Sequence, residues 1–498
     1  MSEILLRAGK SPFTVLTHEQ SLATFNSGVF AANAGNMLFY SSVHRHVSTP
    51  RARVTTDGYL HERRQCTESD AGYINERYDH YVIPLADAFR KTFVPRLQRL
   101  TDLIQRLEIP VTVTGVGVAL PIGAGPEQVD DEVADAAKAF VSAVLNRTNT
   151  IGVRGETTSE FLQGLGIPRQ SIDVIGCPSL FMFGRPSPMA LKAASLKPDS
   201  KVAFNFTPYV GGIEEFLQPN LDSYTNSVVI AQRHDRLATM LWGDPPPSNE
   251  SRSLPVHVDH PMYLQDRIRF FVDAKTWIDY LQEFDFVVGT RLHGTIAGIL
   301  AQTPSMLLAH DARTAELATY HGIPHKVFAE VDNDFDVAQL YDQLDLTAFD
   351  ERQDVVFDRY CRFLDRNGIE NIFQAGNDNP EYDRLLEDTS FPGPVHTLMA
   401  SDERGRRQII DRLSWLRQGQ RADLARPAYA NNPPIAKRST KSDQAVIVSG
   451  IKSLRKDVRA LEKQMQALNR KTNTLDRKQS MSISSRIGRV LRRFKFRR

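Results

Sequence analysis

A short turn near residue 290 carries the residue types best suited to binding and chemistry. The run Phe284–Val288 is typical of a buried strand, and Thr290-Arg291-Leu292-His293 follows it before a helical segment. Arg291 and His293 are two residues apart, so in extended backbone they would point to the same side. An arginine fork, an imidazole and the free N–H groups of a helix N-terminus suit an anion such as phosphate or carboxylate. The alternative is an Arg–His pair that makes structural hydrogen bonds only.

A second turn in the first half of the chain has the same layout. A short strand leads through Arg154 into a helix that we expect to begin near Thr157. Arg154 would face the same gap from the other half of the molecule. Two arginines that converge from two domains would form a strong anion site. The alternative is that Arg154 pairs with the nearby Glu156.

The segment Asn33-Ala34-Gly35-Asn36 is a weaker candidate. Gly35 allows the backbone to approach a ligand closely, and asparagine side chains can bind hydroxyl groups, but from these residues alone a plain turn is the better explanation. His44 and His46 follow shortly after it. Their neighbours do not form a metal-ligand set, so we expect both histidines at the surface and predict no metal site.

These turns require strands and helices that hold them. Strand-like and helix-like segments alternate over residues 1–185 and again over 186–345. This alternation predicts an α/β protein with two Rossmann-like domains and a ligand cleft at the carboxyl ends of parallel strands. In the first block, the periodicity of residues 85–107 predicts a helix and the polar segment 51–80 predicts a loop or insertion. Residues 1–25 give little signal.

The C-terminal part of the chain differs in composition. Residues 346–425 are charged and predicted to form a helical extension, and the Pro- and Asn-rich residues 426–445 predict a linker. Apolar residues at heptad spacing in 446–478 predict a coiled coil that would form a homo-oligomer through 447–475; an amphipathic helix folded onto the body is the alternative. The heptad residues are Ile447, Ile451, Leu454, Val458, Leu461, Met465, Leu468 and Leu475.

The last segment, 479–498, is a basic amphipathic tail. Residues 441–498 hold 17 Lys or Arg against 4 Asp or Glu, so this tail follows a body of net negative charge. Apolar and basic residues are interleaved over 483–498, which favours binding to an anionic membrane surface. Nucleic-acid binding and a merely solvated tail are the alternatives.

Composition excludes several classes of protein. The chain has 498 residues and 41% of them are hydrophobic, which excludes a disordered chain, and no apolar run reaches the roughly 18 residues of a membrane-spanning helix. Cys66, Cys177 and Cys361 are far apart, which together with an N-terminus without a secretory pattern predicts a reduced, cytoplasmic setting. The sequence has no P-loop and no Gly-x-Ser-x-Gly, and Gly115-Val116-Gly117 is only part of a dinucleotide fingerprint.

Together, these segments resemble the polysaccharide pyruvyl transferase family over residues 25–330. The family pattern combines an Asn-x-Gly-(Asp/Asn) loop, an Arg followed by Ser and Leu-Gly, a Gly-x-Pro and an Arg-Leu-His-Gly turn. The matching segments here are Asn33-Ala34-Gly35-Asn36, Arg154 with Ser159 and Leu165-Gly166, Gly176-Cys177-Pro178, and Arg291-Leu292-His293-Gly294. Asn36 and Cys177 stand where many members have Asp, and Arg313 stands where Lys is common.

The resemblance implies two Rossmann-like domains in a GT-B-like arrangement and transfer of pyruvate from phosphoenolpyruvate to two sugar hydroxyls as a ketal. The acceptor would be a bacterial exopolysaccharide or its lipid-linked precursor, and no cofactor or metal is implied. His293 would be the general acid/base. The residues that would bind substrates are Arg154, Arg291, Gly294, Asn33, Gly35 and Asn36.

Two other functions fit the same residues. A GT-B glycosyltransferase that uses a nucleotide sugar would share the fold and the anion site, but no acidic residue can be assigned to its ribose. A non-enzymatic coiled-coil scaffold is the other alternative. The presence of both arginines and the histidine in their turns favours the transferase over the scaffold.

Overall fold

Parallel strands form the framework that positions the predicted turns. The structure, a computed structural model, describes residues 1–25, 33–246, 250–331 and 335–417. Every pairing between strands in these ranges is parallel. The strands are β1 (Ser2–Leu6), β2 (Ala52–Thr56), β3 (His80–Pro84), β4 (Asp87–Phe89), β5 (Val111–Thr114), β6 (Gly117–Val118), β7 (Ile151–Val153), β8 (Ile172–Val174), β9 (Val202–Asn205), β10 (Val228–Ile230), β11 (Ile268–Arg269), β12 (Phe286–Gly289), β13 (Ser305–Ala309) and β14 (His325–Val327).

Helices connect these strands and continue after the last of them. They are α1 (His18–Phe25), α2 (Gly35–Val47), α3 (Glu68–Arg77), α4 (Val94–Arg106), α5 (Asp131–Leu145), α6 (Glu156–Gly164), α7 (Ile213–Ser223), α8 (His234–Trp242), α9 (Pro261–Leu264), α10 (Ala274–Leu281), α11 (Leu292–Leu300), α12 (Ala312–His321), α13 (Val337–Asp342), α14 (Thr347–Arg366), α15 (Pro380–Asp388) and α16 (Glu403–Arg417). The strand–helix alternation confirms the predicted α/β class with parallel sheets.

The first sheet has the strand order β2-β1-β3-β5. The pairs β4–β6 and β7–β8 lie beyond it, and Val116, just after β5, forms a parallel bridge to Val153 of β7. The second sheet has the order β11-β10-β9-β12-β13-β14. In each sheet the order reverses direction beside the first strand, between β1 and β3 and between β9 and β12. Ligands of open parallel sheets bind outside the carboxyl ends of the strands at such reversals.

Two predictions for the first block were wrong, and residues 1–25, which carry little signal in the sequence, proved to hold regular elements. Residues 51–80 contain β2 and α3 rather than a loop; β2 is an edge strand, so exposed polar residues such as Arg53 interrupt its apolar pattern. The helix predicted over 85–107 begins only at Val94, because Leu85 and Phe89 are buried around a strand segment, β4. Residues 1–25 contain the central strand β1 and helix α1.

His44 and His46 lie in the protein interior, which contradicts their predicted place at the surface. His46 is accommodated there because both ring nitrogens have partners: Nδ1 lies 2.8 Å from the Tyr360 hydroxyl, and Nε2 lies 2.8 Å from the carbonyl oxygen of Phe181. Burial lowers the pKa of His46 to about 3, so the imidazole is neutral.

The predicted helical extension is part of the folded body. The described residues between 1 and 417 belong to one compact unit. Phe349, Tyr360 and Phe363 of α14 are buried in the same core as strands of the second sheet. The other end of α14 reaches the β7–β8 pair, where Arg366 forms a 2.7 Å ion pair with Asp173 of β8. Helix α14 therefore links the second sheet to the first half of the fold.

Several predictions fall on residues outside the described ranges. These are the linker 426–445, the coiled coil 446–478, the basic tail 479–498 and the end of the extension, 418–425. They stay predictions. Among the helices that the structure describes, none has the length and apolarity needed to cross a membrane.

Removal of the Tyr360 hydroxyl should destabilise the body. The Tyr360→Phe variant leaves His46 Nδ1 buried without its partner, so we expect the free energy of unfolding to fall by about 1–3 kcal/mol. Urea denaturation measures the change. The control is Tyr73→Phe, since the Tyr73 hydroxyl contacts only the exposed Arg77 and its loss should change stability by about 0.5 kcal/mol or less. Equal losses in both variants would contradict the assigned role of the His46 contact.

Candidate functional site

A cavity of about 270 Å³ lies where the carboxyl ends of the two sheets meet. The first sheet contributes residues that follow β1 and β3, and the second contributes residues that follow β9, β12 and β13. These positions are the strand-order reversals at which ligands of parallel sheets bind. Charged and aromatic residues in the lining include Arg7, Phe39, Asp87, Arg154, Tyr209, Arg291, His293, His310 and Arg313.

Arg291 lies in the turn after β12 and is held by residues at the end of β9. The backbone N–H of Arg291 donates to Asn205 Oδ1 at 2.8 Å, and its Nε donates to the carbonyl oxygen of Phe206 at 2.8 Å. These contacts orient the guanidinium without using a carboxylate. Burial lowers the pKa of Arg291 to about 10, so the group still carries its charge near neutrality.

Arg154 reaches the same cavity from the end of β7, the strand that is bridged to the first sheet at Val116. Its Nε donates to the carbonyl oxygen of Gly115 at 2.8 Å, and its guanidinium lies 5.6 Å from the centre of the Phe39 ring. Its Nη2 is buried without a hydrogen-bond partner among the described residues. Burial and the nearby Arg313 cation lower the pKa of Arg154. The alternative pairing with Glu156 does not occur, since that carboxylate lies 3.7 Å from Arg169.

Three other arginines of the lining, Arg7, Arg90 and Arg313, are paired with carboxylates. Arg7 forms an ion pair with Glu62, and Arg313 forms ion pairs with Asp87 and, at 2.9 Å, with Asp311. These carboxylates raise the pKa of Arg313 even though burial opposes its charge. Among the described residues, no carboxylate lies within ion-pair distance of Arg154 or Arg291. Of the lining arginines without a carboxylate partner, Arg154 and Arg291 are buried and Arg96 is exposed, so the cavity has two buried cations available for an anionic ligand.

His293 lies between the two halves of the site. Its ring stacks on Phe39 with centroids 6.4 Å apart, and its Nε2 is 3.9 Å from Cys177 Sγ. Burial lowers the pKa of His293 to about 3, and the charges of Arg154 and Arg313 contribute to the shift. The imidazole is neutral in this state and can accept a proton when an anion offsets the neighbouring cations.

The Asn33–Asn36 segment is brought to the cavity, as predicted. Asn33 and Asn36 both line it, and Asn33 Oδ1 accepts a 2.8 Å hydrogen bond from the N–H of Gly35. The segment also touches the second sheet, because Asn33 forms an antiparallel bridge with Arg233. A Cβ at Gly35 would lie 2.8 Å from His293 Cβ, so a glycine is needed for α2 to begin this close to the histidine.

Gly294 has a different environment from the other predicted residues. It is buried, and a Cβ there would lie 2.5 Å from Asn205 Cγ. The glycine lets α11 approach the asparagine that fixes Arg291. The structure thus brings Asn33, Asn36, Arg154, Arg291 and His293 to one cavity, with Gly35 and Gly294 as close-packing positions beside it.

Sequence reasoning missed several residues of the lining. Arg7, Asp87 and His310 each follow a strand directly or within a few residues, and that position is the signal that could have found them. Tyr209 lies in the loop after β9 and is 76% exposed, at the rim of the cavity. Within the described ranges no cluster of His, Cys, Asp or Glu side chains has the arrangement of a metal site.

Comparison with known proteins identifies a family. The sequence profile described as polysaccharide pyruvyl transferase matches residues 50–312, which is more than half of the chain. No curated protein sequence gives a significant match.

Similar solved structures exist for other enzymes, all at low identity. The Staphylococcus aureus MnaA–UDP co-structure is 11% identical, with 79% of this chain and 99% of that chain covered and a TM-score of 0.34. Anabaena HepE in complex with UDP-glucose is 14% identical, with 72% and 96% covered and a TM-score of 0.38. A putative UDP-N-acetylglucosamine 2-epimerase from Listeria monocytogenes is 11% identical, with 84% and 96% covered and a TM-score of 0.35. At these TM-scores the likeness assigns no ligand or residue role to this chain.

Loss of one cation should weaken anion binding. The Arg291→Ala variant removes charge-assisted hydrogen bonds to the anion, and Arg154 alone does not replace them. We therefore expect inorganic phosphate to bind about 10- to 100-fold more weakly. Calorimetric titration measures the affinity. Arg169→Ala is the control, since Arg169 lies outside the cavity beside Glu156. Unchanged affinity in Arg291→Ala would contradict the anion site.

Proposed function

The chain belongs to the polysaccharide pyruvyl transferase family, and we propose that it transfers pyruvate from phosphoenolpyruvate to two hydroxyls of a sugar, forming a ketal. The acceptor is a bacterial exopolysaccharide or its lipid-linked precursor, and the two sheets are arranged as in GT-B enzymes. The observation that carries the proposal is the pair of arginines, Arg154 and Arg291, that face one cavity from two sheets without carboxylate partners.

The charges of the cavity suit phosphoenolpyruvate. This donor carries a carboxylate and a phosphate on the same carbon atom, so two cations on opposite walls can bind one group each. Arg154 and Arg291 are both oriented by backbone carbonyl oxygens, at 2.8 Å in each case, which leaves their terminal N–H groups for the ligand. Asn33 and Asn36 lie in the same lining and provide amide groups for the donor or for the sugar hydroxyls.

Ketal formation begins with protonation of the donor. A proton added to the methylene carbon of phosphoenolpyruvate leaves an oxocarbenium-like carbon that a hydroxyl can attack. His293 is the group that we assign to this step. The bound phosphate and carboxylate place negative charge near the imidazole, which raises its pKa from the low value that burial and the arginines impose. Donor binding therefore protonates the acid that the reaction needs.

Phosphate release from phosphoenolpyruvate tests this function. The purified protein should release phosphate in the presence of extracted soluble and lipid-linked oligosaccharides, and His293→Ala should lower the rate about 10²- to 10⁴-fold while donor affinity stays within threefold. The control is His325→Gln, a histidine on β14 that does not line the cavity. Binding of a UDP-sugar but not of phosphoenolpyruvate would instead support a glycosyltransferase.

The C-terminal segments fit a lipid-linked acceptor. We propose that residues 483–498 bind an anionic membrane surface and that 447–475 join copies of the chain there. Full-length protein should float with vesicles that contain phosphatidylglycerol and not with pure phosphatidylcholine vesicles. The double variant Arg492→Glu, Arg493→Glu should lose most of this binding, because each basic residue contributes about 1 kcal/mol near an anionic surface. Equal flotation of the variant and the parent would contradict the membrane role.

A further inference from the structure

The proposed reaction needs a second proton-transfer group that the steps above do not supply. Each of the two acceptor hydroxyls loses a proton when it attacks the oxocarbenium-like carbon. His293 could accept a proton, because it has just given one to the methylene carbon. However, it is held between Phe39 and Cys177, on one side of the site only. The cavity lining therefore has to be searched for another base.

His310 meets the requirements for this base. It directly follows β13, whose carboxyl end opens into the cavity beside Arg291 and the turn after β12. Its side chain is 11% exposed. The edge of its ring faces Tyr209, with centroids 6.3 Å apart, and Nδ1 is buried without a hydrogen-bond partner among the described residues. We therefore assign proton transfer to Nε2.

Asp311 lies beside the imidazole at ion-pair distance and can stabilise its protonated form. Its Oδ2 lies 3.8 Å from His310 Nε2 and 2.9 Å from Arg313 Nη2, while its Oδ1 accepts the N–H of Thr314 at 2.8 Å and caps α12. The carboxylate is thus fixed on three sides. The carboxylate that lines the cavity itself is Asp87, and its ion pairs with Arg313 and Arg90 make it a link across the cavity rather than a free base.

We propose that His310 is the base that takes the acceptor hydroxyl proton, with Asp311 as its positioning residue; this assignment rests on the proposed function. In the first attack the O–H bond breaks, its oxygen forms the bond to the central pyruvyl carbon, and the proton moves to His310. The departing phosphate then takes that proton from the imidazolium. In the second attack His310 accepts the other hydroxyl proton, which returns through solvent to His293. One proton thus ends on the methyl carbon and one on phosphate.

The charges around His310 determine its pH dependence. Burial is the main cause that lowers its pKa; Arg313 on α12 and Arg291 in the turn after β12 lower it further, and Asp311 raises it. Tyr209 faces it from the loop after β9. A base works when deprotonated, so the rate should rise with pH through the His310 pKa and give an acid limb that depends on His310.

The test compares His310→Gln with the parent in phosphate release, using extracted oligosaccharides and, separately, water as the acceptor. We expect kcat to fall about 10²- to 10⁴-fold, the affinity for phosphoenolpyruvate to stay within threefold, and the acid limb to disappear. Added imidazole should restore part of the rate in His310→Ala. Asp311→Asn keeps a helix-capping residue and should shift the acid limb to lower pH, because the carboxylate that raises the His310 pKa is gone.

The outcomes separate this assignment from the proposed function. His325→Gln is the matched control and should keep the parent rate and pH profile. A His310→Gln variant that keeps its rate, or that loses donor affinity in proportion to its rate, overturns the role of His310 while leaving pyruvyl transfer intact. A parent protein that does not bind phosphoenolpyruvate, or that binds it and never releases phosphate, overturns both.

Discussion

Two buried guanidinium groups, those of Arg154 and Arg291, face one cavity without carboxylates to neutralise them, and the surrounding structure is arranged around that constraint. Buried charge is unfavourable unless polar groups or a ligand compensate it. Here backbone carbonyl oxygens of Gly115 and Phe206 hold Arg154 and Arg291, and the Phe39 ring covers one face of Arg154. These contacts keep the two cations in position but compensate their buried charge only in part. A small dianion or trianion would complete the compensation.

The ion pair between Asp87 and Arg313 helps to fix the position of the two sheets relative to each other. Asp87 belongs to β4, beside the first sheet, and Arg313 to α12, beside the second, so their ion pair spans the cavity. Two further contacts also connect the two halves of the fold. They are the backbone bridge between Asn33 and Arg233 and the packing of α14. Because His293 and Arg154 belong to different sheets, any shift between the sheets would change the distance between the assigned acid and a donor-binding cation.

The sequence predicted the main features of this arrangement for reasons that are local. The apolar run Phe284–Val288 and the turn after it predict a buried strand with an Arg and a His at its carboxyl end. The structure places both side chains in the cavity lining. Arg154 was predicted by the same logic. The edge strand β2 and the short strand β4 were missed, because an exposed strand edge and a three-residue strand do not produce a clear alternation of apolar residues.

The order of residue types along the chain determined the alternating α/β pattern, the strand-end positions of Arg154, Arg291 and His293, and the family. It could not determine which side chains meet across the cleft. The burial of His46 against Tyr360, the ion pair between Asp87 and Arg313, and the approach of Gly35 to His293 all join segments that are far apart in the chain. Such contacts depend on how the two sheets pack, and packing is a property of the tertiary structure because local periodicity carries no information on partners distant in sequence.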